Sequence, residues 1–279
     1  MAAADLIEDA GLRAHGWQWV EEGSAADVHC RAMAHQGPQI RAAVEGRIPG
    51  IDVVVQREDR RRRRLLVADM DSTMITVECI DELADYAGIK SEIAALTERA
   101  MRGELAFEEA LKQRVALLEG LDEGAIARCL DERVGITPGA IPLVRTMKRD
   151  GARSVLVSGG FTAFADTVGR TIGFDSVVAN ELQVENGRLT GRLGPAIVGA
   201  LGKRDALVDA AALAGVELEA TLAVGDGAND IPMLEAAGLG VAYHAKPAAA
   251  AAAAARIEHN DLTALLYAQG YRRSEWVLD

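Results

Sequence analysis

The sequence predicts an α/β protein: a doubly wound parallel sheet with an inserted helical cap, preceded by a small α+β module. Three observations lead there. Apolar runs such as "SVLVSGG" and "TLAVGDG" alternate with helical patterns, as in a parallel sheet covered on both faces. The first of these runs, "LLVADM", leads into a long helical block instead of a single crossover helix. Four polar segments also fall where strands should end: "DMDST" at 69–73, "SGG" at 158–160, "GKRDAL" at 202–207 and "GDGAND" at 225–230.

The elements follow in chain order. "ADLIEDAGL" reads as a helix, "WQWVEEG" and "ADVHCRAMA" as strands, "QIRAAVEGRI" as a helix and "IDVVVQRE" as a third strand. This α-β-β-α-β order suits a two-layer α+β module over residues 1–64. It ends in "EDRRRRR", a block of like charge expected to be a solvated linker. Residues 65–77 and 147–279 are expected to form the α/β core, with 78–146 as the cap. Within the cap, "IDELADYAG", "KSEIAALTERAMRG", "AFEEALKQRVALLEG" and "DEGAIARCLDER" carry apolar residues at three- and four-residue spacing. Asn186-Gly187 in "VENGRL" signals a hairpin. The run of alanines behind Pro247 predicts a surface helix, since Pro suits a first helical position and Ala is the best helix former.

Composition narrows the function. The 279 residues are 49% hydrophobic and 26% charged, ordinary for a globular protein, and the 4% of aromatics leaves the core to aliphatic side chains. A net charge of −12 argues against nucleic acid and anionic membranes as partners. No stretch reaches the ~18 apolar residues of a membrane span. Cys30, Cys79 and Cys129 are widely spaced and form no CxxC pair, which fits reduced thiols in a cytoplasmic protein. The five histidines show no metal-binding spacing and read as structural.

The carboxyl ends of strands in a doubly wound sheet share one edge, where ligands bind. Several carboxylates, one hydroxyl, one lysine and exposed backbone N–H groups would converge there. That set suits a divalent, oxygen-ligated cation together with a phosphate. Asp69 and Asp71 end a strand, where Asp is disfavoured and two like charges repel. A cation supplies the missing charge.

Taken in order, "DMDST", "SGG", Lys203 and "GDGAND" resemble the motifs of the haloacid-dehalogenase-like (HAD) phosphatases, whose first motif is DxDx[TV]. The segments "DMDSTMITVECIDELAD", "AFEEALKQRVALLEGL", "VLVSGGFTAFA", "GDGANDIPML" and "YHAKP" resemble the phosphoserine phosphatases of that superfamily. The resemblance runs from about Leu65 to Tyr271. It implies a Rossmannoid core and hydrolysis of O-phospho-L-serine to L-serine and phosphate, the last step of serine biosynthesis. Asp69 would be the nucleophile that becomes an aspartyl phosphate, and Asp71 the general acid and then base. Mg2+ would be the cofactor, held by Asp69, Asp71 and Asp226 with Asp230 behind them. Ser158, Gly159, Lys203 and Asn229 would hold the phosphate. Glu78 would meet the ammonium and Arg114 the carboxylate, with Met101 and Phe107 as apolar walls.

Beside this stand a sibling enzyme acting on another small phosphomonoester or passing the phosphoryl group to a different alcohol, and a ligand-sensing protein with a vestigial site. Manganese is not separated from magnesium. The N-terminal module resembles an ACT-like half-domain, and three roles stay open for it: serine sensing, homodimerisation or packing.

Overall fold

The computed structural model describes residues 2–101 and 104–278, apart from the side chains of Ala34 and Met101. In chain order the strands are β1 (Arg13–Glu21), β2 (Ala25–Arg31), β3 (Leu65–Ala68), β4 (Arg153–Phe161), β5 (Ser176–Asn180), β6 (Leu182–Glu185), β7 (Arg188–Leu193), β8 (Thr221–Gly225), β9 (Leu239–Tyr243) and β10 (Ala255–Ile257). Six of them form one parallel sheet in the order β10-β9-β8-β3-β4-β5. The doubly wound architecture expected from the sequence is present.

Side-chain alternation explains why β3 needs cover on both faces. Leu66 and Ala68 enter one core, with Leu143, Val144, Phe164 and Val168 from the helices Ala140–Arg149 and Thr162–Ile172. Leu65 and Val67 point the other way, with Leu207, Ala211 and Met233 from the helices Ala200–Ala214 and Ile231–Ala236. Every residue of β3, β8 and β9 is buried. The chain steps from β3 to β4 and β5 on one side and returns through β8 on the other. β3 therefore marks the topological switch point, beside which ligands bind.

The helices Cys79–Ala87, Lys90–Met101, Phe107–Ala116 and Gly124–Glu132 lie between β3 and β4, as expected of the insertion. The helical pattern up to Met147 is not all of one kind, however. The helix Ala140–Arg149 packs on the sheet through Leu143, Val144 and Met147. The hairpin forms at Asn186-Gly187, whose φ values of 52° and 74° suit the primed turn that a two-residue loop needs.

Three expectations need correction. Residues 51–57 form no strand; the antiparallel sheet of the N-terminal module contains only β1 and β2. The polar groups of that segment go to the core instead. Asp52 accepts hydrogen bonds from the backbone N–H groups of Glu258 and Asn260 at 2.8 and 3.1 Å, and Gln56 Nε2 donates to Ala268 O. The basic run is only partly solvated: Arg60, Arg62 and Arg64 are exposed, but Arg61 and Arg63 are not. Arg61 makes a two-point contact with Asp27 (2.8 and 2.9 Å), Arg62 pairs with Asp150, and Arg63 is buried, donating to Glu219 O at 2.7 Å. The alanine run is helical only over Pro247–Ala252; Ala255 is fully buried and begins β10.

Candidate active site

β3 and β8 are neighbours in register, Ala68 opposite Val224, and Asp69 N–H continues the ladder to Val224 O at 2.9 Å. Asp69 and Asp226 thus leave adjacent strands at the same edge, and both are buried. Asp230 lies one turn beyond Asp226. Its Oδ2 accepts the N–H groups of Asp226 and Gly227 at 3.1 and 2.9 Å, which folds "GDGAND" back on itself. Gly225 is required there, since a Cβ would stand 2.4 Å from Asp230 Cγ.

Lys203 rises from the helix Ala200–Ala214 and is sealed from solvent. Its Nζ lies 2.5 Å from Asp69 Oδ1 and 2.7 Å from Asp230 Oδ1. Burial works against the lysine charge, but the Asp230 and Asp69 carboxylates more than offset it and its pKa is raised. Burial pushes Asp69 well above the carboxylate range; the Asp230 charge adds to this and Lys203 opposes it. Asp226 is pushed up to about 6, mainly by burial, with Lys246 pulling against it.

Asp71 faces β4. Its Oδ1 accepts the N–H of Cys79 at 2.8 Å and its Oδ2 the Ser158 hydroxyl at 3.1 Å. Burial and then the Glu78 charge raise its pKa. The Ser158 hydroxyl oxygen also accepts Gly160 N–H at 2.8 Å. A Cβ on Gly160 would stand 2.7 Å from Asp71 Oδ2, and one on Gly159 would stand 3.3 Å from Phe107 Cζ and 3.8 Å from Asn229 Nδ2. The two glycines therefore let Asp71, Phe107 and Asn229 close around Ser158.

Two further residues are less tightly held. Glu78 immediately precedes the helix Cys79–Ala87 and accepts the Ser72 hydroxyl at 2.8 Å. Arg114 is half-buried. Burial lowers its pKa, while the nearby Asp81 and Glu78 charges act in the opposite sense. Its Nε donates a long hydrogen bond, 3.4 Å, to Ala110 O of its own helix. The Glu78 charge is thus near enough to act on Arg114, though no ion pair joins the two among the described residues. The Met101 side chain lies outside the described residues.

Sequence reasoning missed two participants. Asn180 is fully buried, donates to Gly159 O at 2.8 Å and accepts Val198 N–H at 2.7 Å, so it ties the "SGG" stretch of β4 to the segment before Lys203. Its only signal was an Asn at the end of an apolar strand. Lys246 lies 3.4 Å from Asp226 Oδ2 and sits inside "YHAKP", a segment that carried the resemblance but gave this lysine no role.

Carboxylate oxygens of Asp69, Asp226 and Asp230 all lie within 4.8 Å of one another. Oxygen ligands of a magnesium ion sit about 2.1 Å from it, hence up to about 4.2 Å apart, so a slight contraction would let the group share one ion. Three buried carboxylates against one buried lysine leave negative charge that a divalent cation would balance. The donor set fits such an ion.

The family model for haloacid dehalogenase-like hydrolases matches residues 66–235. A phosphoserine phosphatase of Streptomyces coelicolor is 46% identical over 235 residues, covering 84% of this chain and 57% of the relative. One from Albidiferax ferrireducens is 48% identical over 209 residues, covering 73% and 88%. The chain therefore spans little more than half the length of the Streptomyces relative. Among solved structures, a probable phosphoserine phosphatase from Vibrio cholerae in unliganded form aligns with a TM-score of 0.75 at 31% identity, covering 98% of this chain and 84% of that one.

Proposed function

This chain belongs to the haloacid dehalogenase-like hydrolases, and on that premise we propose that it is a magnesium-dependent phosphatase hydrolysing O-phospho-L-serine to L-serine and phosphate. The observation that carries the reading is the buried group of Asp69, Asp226 and Asp230 around Lys203, with Asp71, two residues past Asp69, hydrogen-bonded to Ser158. The curated relatives act on phosphoserine by name, which supports the substrate.

In this reading Asp69, Asp226 and the Asp71 main-chain carbonyl would hold Mg2+, with Asp230 orienting the loop. A bound magnesium ion offsets the repulsion between carboxylate and phosphate, about 4 kcal/mol for unit charges at ~4 Å and an effective dielectric of ~20. Ser158, Gly159 N–H, Asn229 and Lys203 hold the phosphoryl oxygens. An Asp69 oxygen attacks phosphorus and the bond to the serine oxygen breaks. Asp71, whose pKa is raised by burial and then by the Glu78 charge, gives its proton to that oxygen. The resulting Asp71 carboxylate then takes a proton from the water that attacks the aspartyl phosphate, and phosphate leaves.

Glu78 receives the substrate ammonium and Arg114 its carboxylate by a planar two-point contact. Phe107, and in this reading Met101, wall the apolar side. The division of the chain follows: an N-terminal module to residue 64, a core of 65–77 with the segment from the helix Ala140–Arg149 onward, and the cap between. Nothing in the cluster favours the vestigial alternative, because its acids and lysine are intact.

The test is kcat/KM over a panel of small phosphomonoesters, with and without EDTA. O-phospho-L-serine should lead the panel and EDTA should abolish its turnover. Equal rates on esters lacking the amino and carboxyl groups would overturn the substrate assignment, and EDTA-resistant activity the metal.

A further inference from the structure

Lys203 answers Asp69 and Asp230, but the third clustered carboxylate has a different counter-ion. Asp226 Oδ2 stands 3.4 Å from Nζ of Lys246, and the same Nζ stands 3.9 Å from Glu78 Oε1. The Lys246 main chain is fixed. Its N–H donates to Asp226 O at 2.9 Å, and Pro247 begins a helix directly behind it. The side chain has freedom, being 57% exposed on a flexible four-carbon stem.

We propose that Lys246 is a resident stand-in cation, which holds the Asp226 and Glu78 side chains in place until it yields Asp226 to a divalent cation and Glu78 to the substrate ammonium. This rests on the metal and substrate assignments of the proposed function. The argument is one of charge and reach. The chain sets one ammonium between the two carboxylates that are assigned to positively charged ligands, so it competes with both. A divalent cation carries twice the charge and approaches a carboxylate oxygen to about 2.1 Å, so it displaces an ammonium standing farther off. A sealed lysine such as Lys203 has nowhere to go. Lys246 swings into water, where an ammonium is well solvated. It is a positioning residue: it acts through Asp226 and Glu78 and touches no reacting atom.

Calorimetric titration of the full chain with Mg2+ alone tests this, comparing wild type with Lys246→Met and Lys246→Arg. Lys246→Met keeps the apolar stem and removes the competitor, so Kd should fall roughly two- to fivefold, the range that an exposed ion pair commands. Lys246→Arg should restore the wild-type value. In kinetics with Lys246→Met, the ratio of KM for O-phospho-L-serine to KM for an ester with the carboxylate but no amino group should fall. A purely structural lysine gives the reverse, weaker Mg2+ binding together with a lower Tm. If wild type binds Mg2+ and Lys246→Met binds it no tighter, this inference is overturned and the functional reading stands. If wild type takes up no Mg2+, the functional reading fails and carries this inference with it.

Discussion

Replacing Lys203 with Met should convert the most buried part of the site from an asset into a liability. The lysine side chain is 1% exposed and touches two carboxylates that are themselves buried, at 2.5 and 2.7 Å. Methionine fills nearly the same volume, so packing changes little and the lost charge dominates. Breaking a buried ion pair by removing one partner costs about 3–5 kcal/mol, because the remaining charge is left uncompensated. The metal-free variant should lose that much in urea unfolding in EDTA at neutral pH. The sign of the pH dependence follows. Without the ammonium, the folded-state pKa of Asp69, already raised by burial, rises further above the unfolded value. Stability is then favoured at low pH and lost as pH rises through the raised value. The deficit relative to wild type should therefore shrink as pH falls. Added Mg2+ should recover part of it; a ligand at one hundred times its Kd contributes about 2.7 kcal/mol. A loss below about 1 kcal/mol that is the same at every pH would be the behaviour of an exposed ion pair, and would refute the buried-cluster argument.

Other expectations follow from the same geometry. Arg114→Ala should raise KM for O-phospho-L-serine roughly ten- to a hundredfold, the worth of a charged hydrogen-bonded contact. KM for phosphoethanolamine, which has no carboxylate, should barely change in steady-state assays. Asp226 is pushed up to about 6, so protons should compete with Mg2+ below that pH. Calorimetric Kd should rise about tenfold per pH unit there and level off above it. Because that folded value lies above the unfolded one, the contribution of Asp226 to metal-free stability is lost as pH rises through about 6, and Mg2+ should reverse the loss. Gly160→Ala puts a Cβ 2.7 Å from Asp71 Oδ2 and 3.0 Å from Ser158 Oγ. It should lower kcat about a hundredfold through misplacement of the acid, while circular dichroism stays as in wild type.

What was legible in the sequence was whatever depends on local pattern. β3 and β8 announced themselves as short apolar runs because both their faces are buried, and Asn186-Gly187 announced its turn because both positions need positive φ. The site was legible because Asp69 and Asp226 stand just past strand ends and Ser158 just past the regular pairing of β4 with β3 and β5, and a parallel sheet gathers such positions at one edge. What was not legible depends on partners far away in the chain. Arg61, Arg62 and Arg63 look like a solvated charge block until Asp27, Asp150 and the Glu219 carbonyl are brought to them. Residues 51–57 have strand composition, but Asp52 and Gln56 are drawn to loops of the core and no neighbouring strand is there to pair. Ala255 belongs to an excellent helix-forming run, yet the open edge of β9 takes it as a strand. Lys246 and Asn180 gain meaning only from Asp226 and Gly159, which no spacing rule connects to them.

The most direct test of the account is chemical trapping of its intermediate. Wild-type protein, mixed with O-phospho-L-serine and Mg2+ and quenched in acid within one turnover, should yield a peptide phosphorylated on Asp69. Asp69→Asn should yield none and release no phosphate. Phosphate released at the wild-type rate by Asp69→Asn, or wild-type turnover with no phosphoryl group ever found on Asp69, would contradict it.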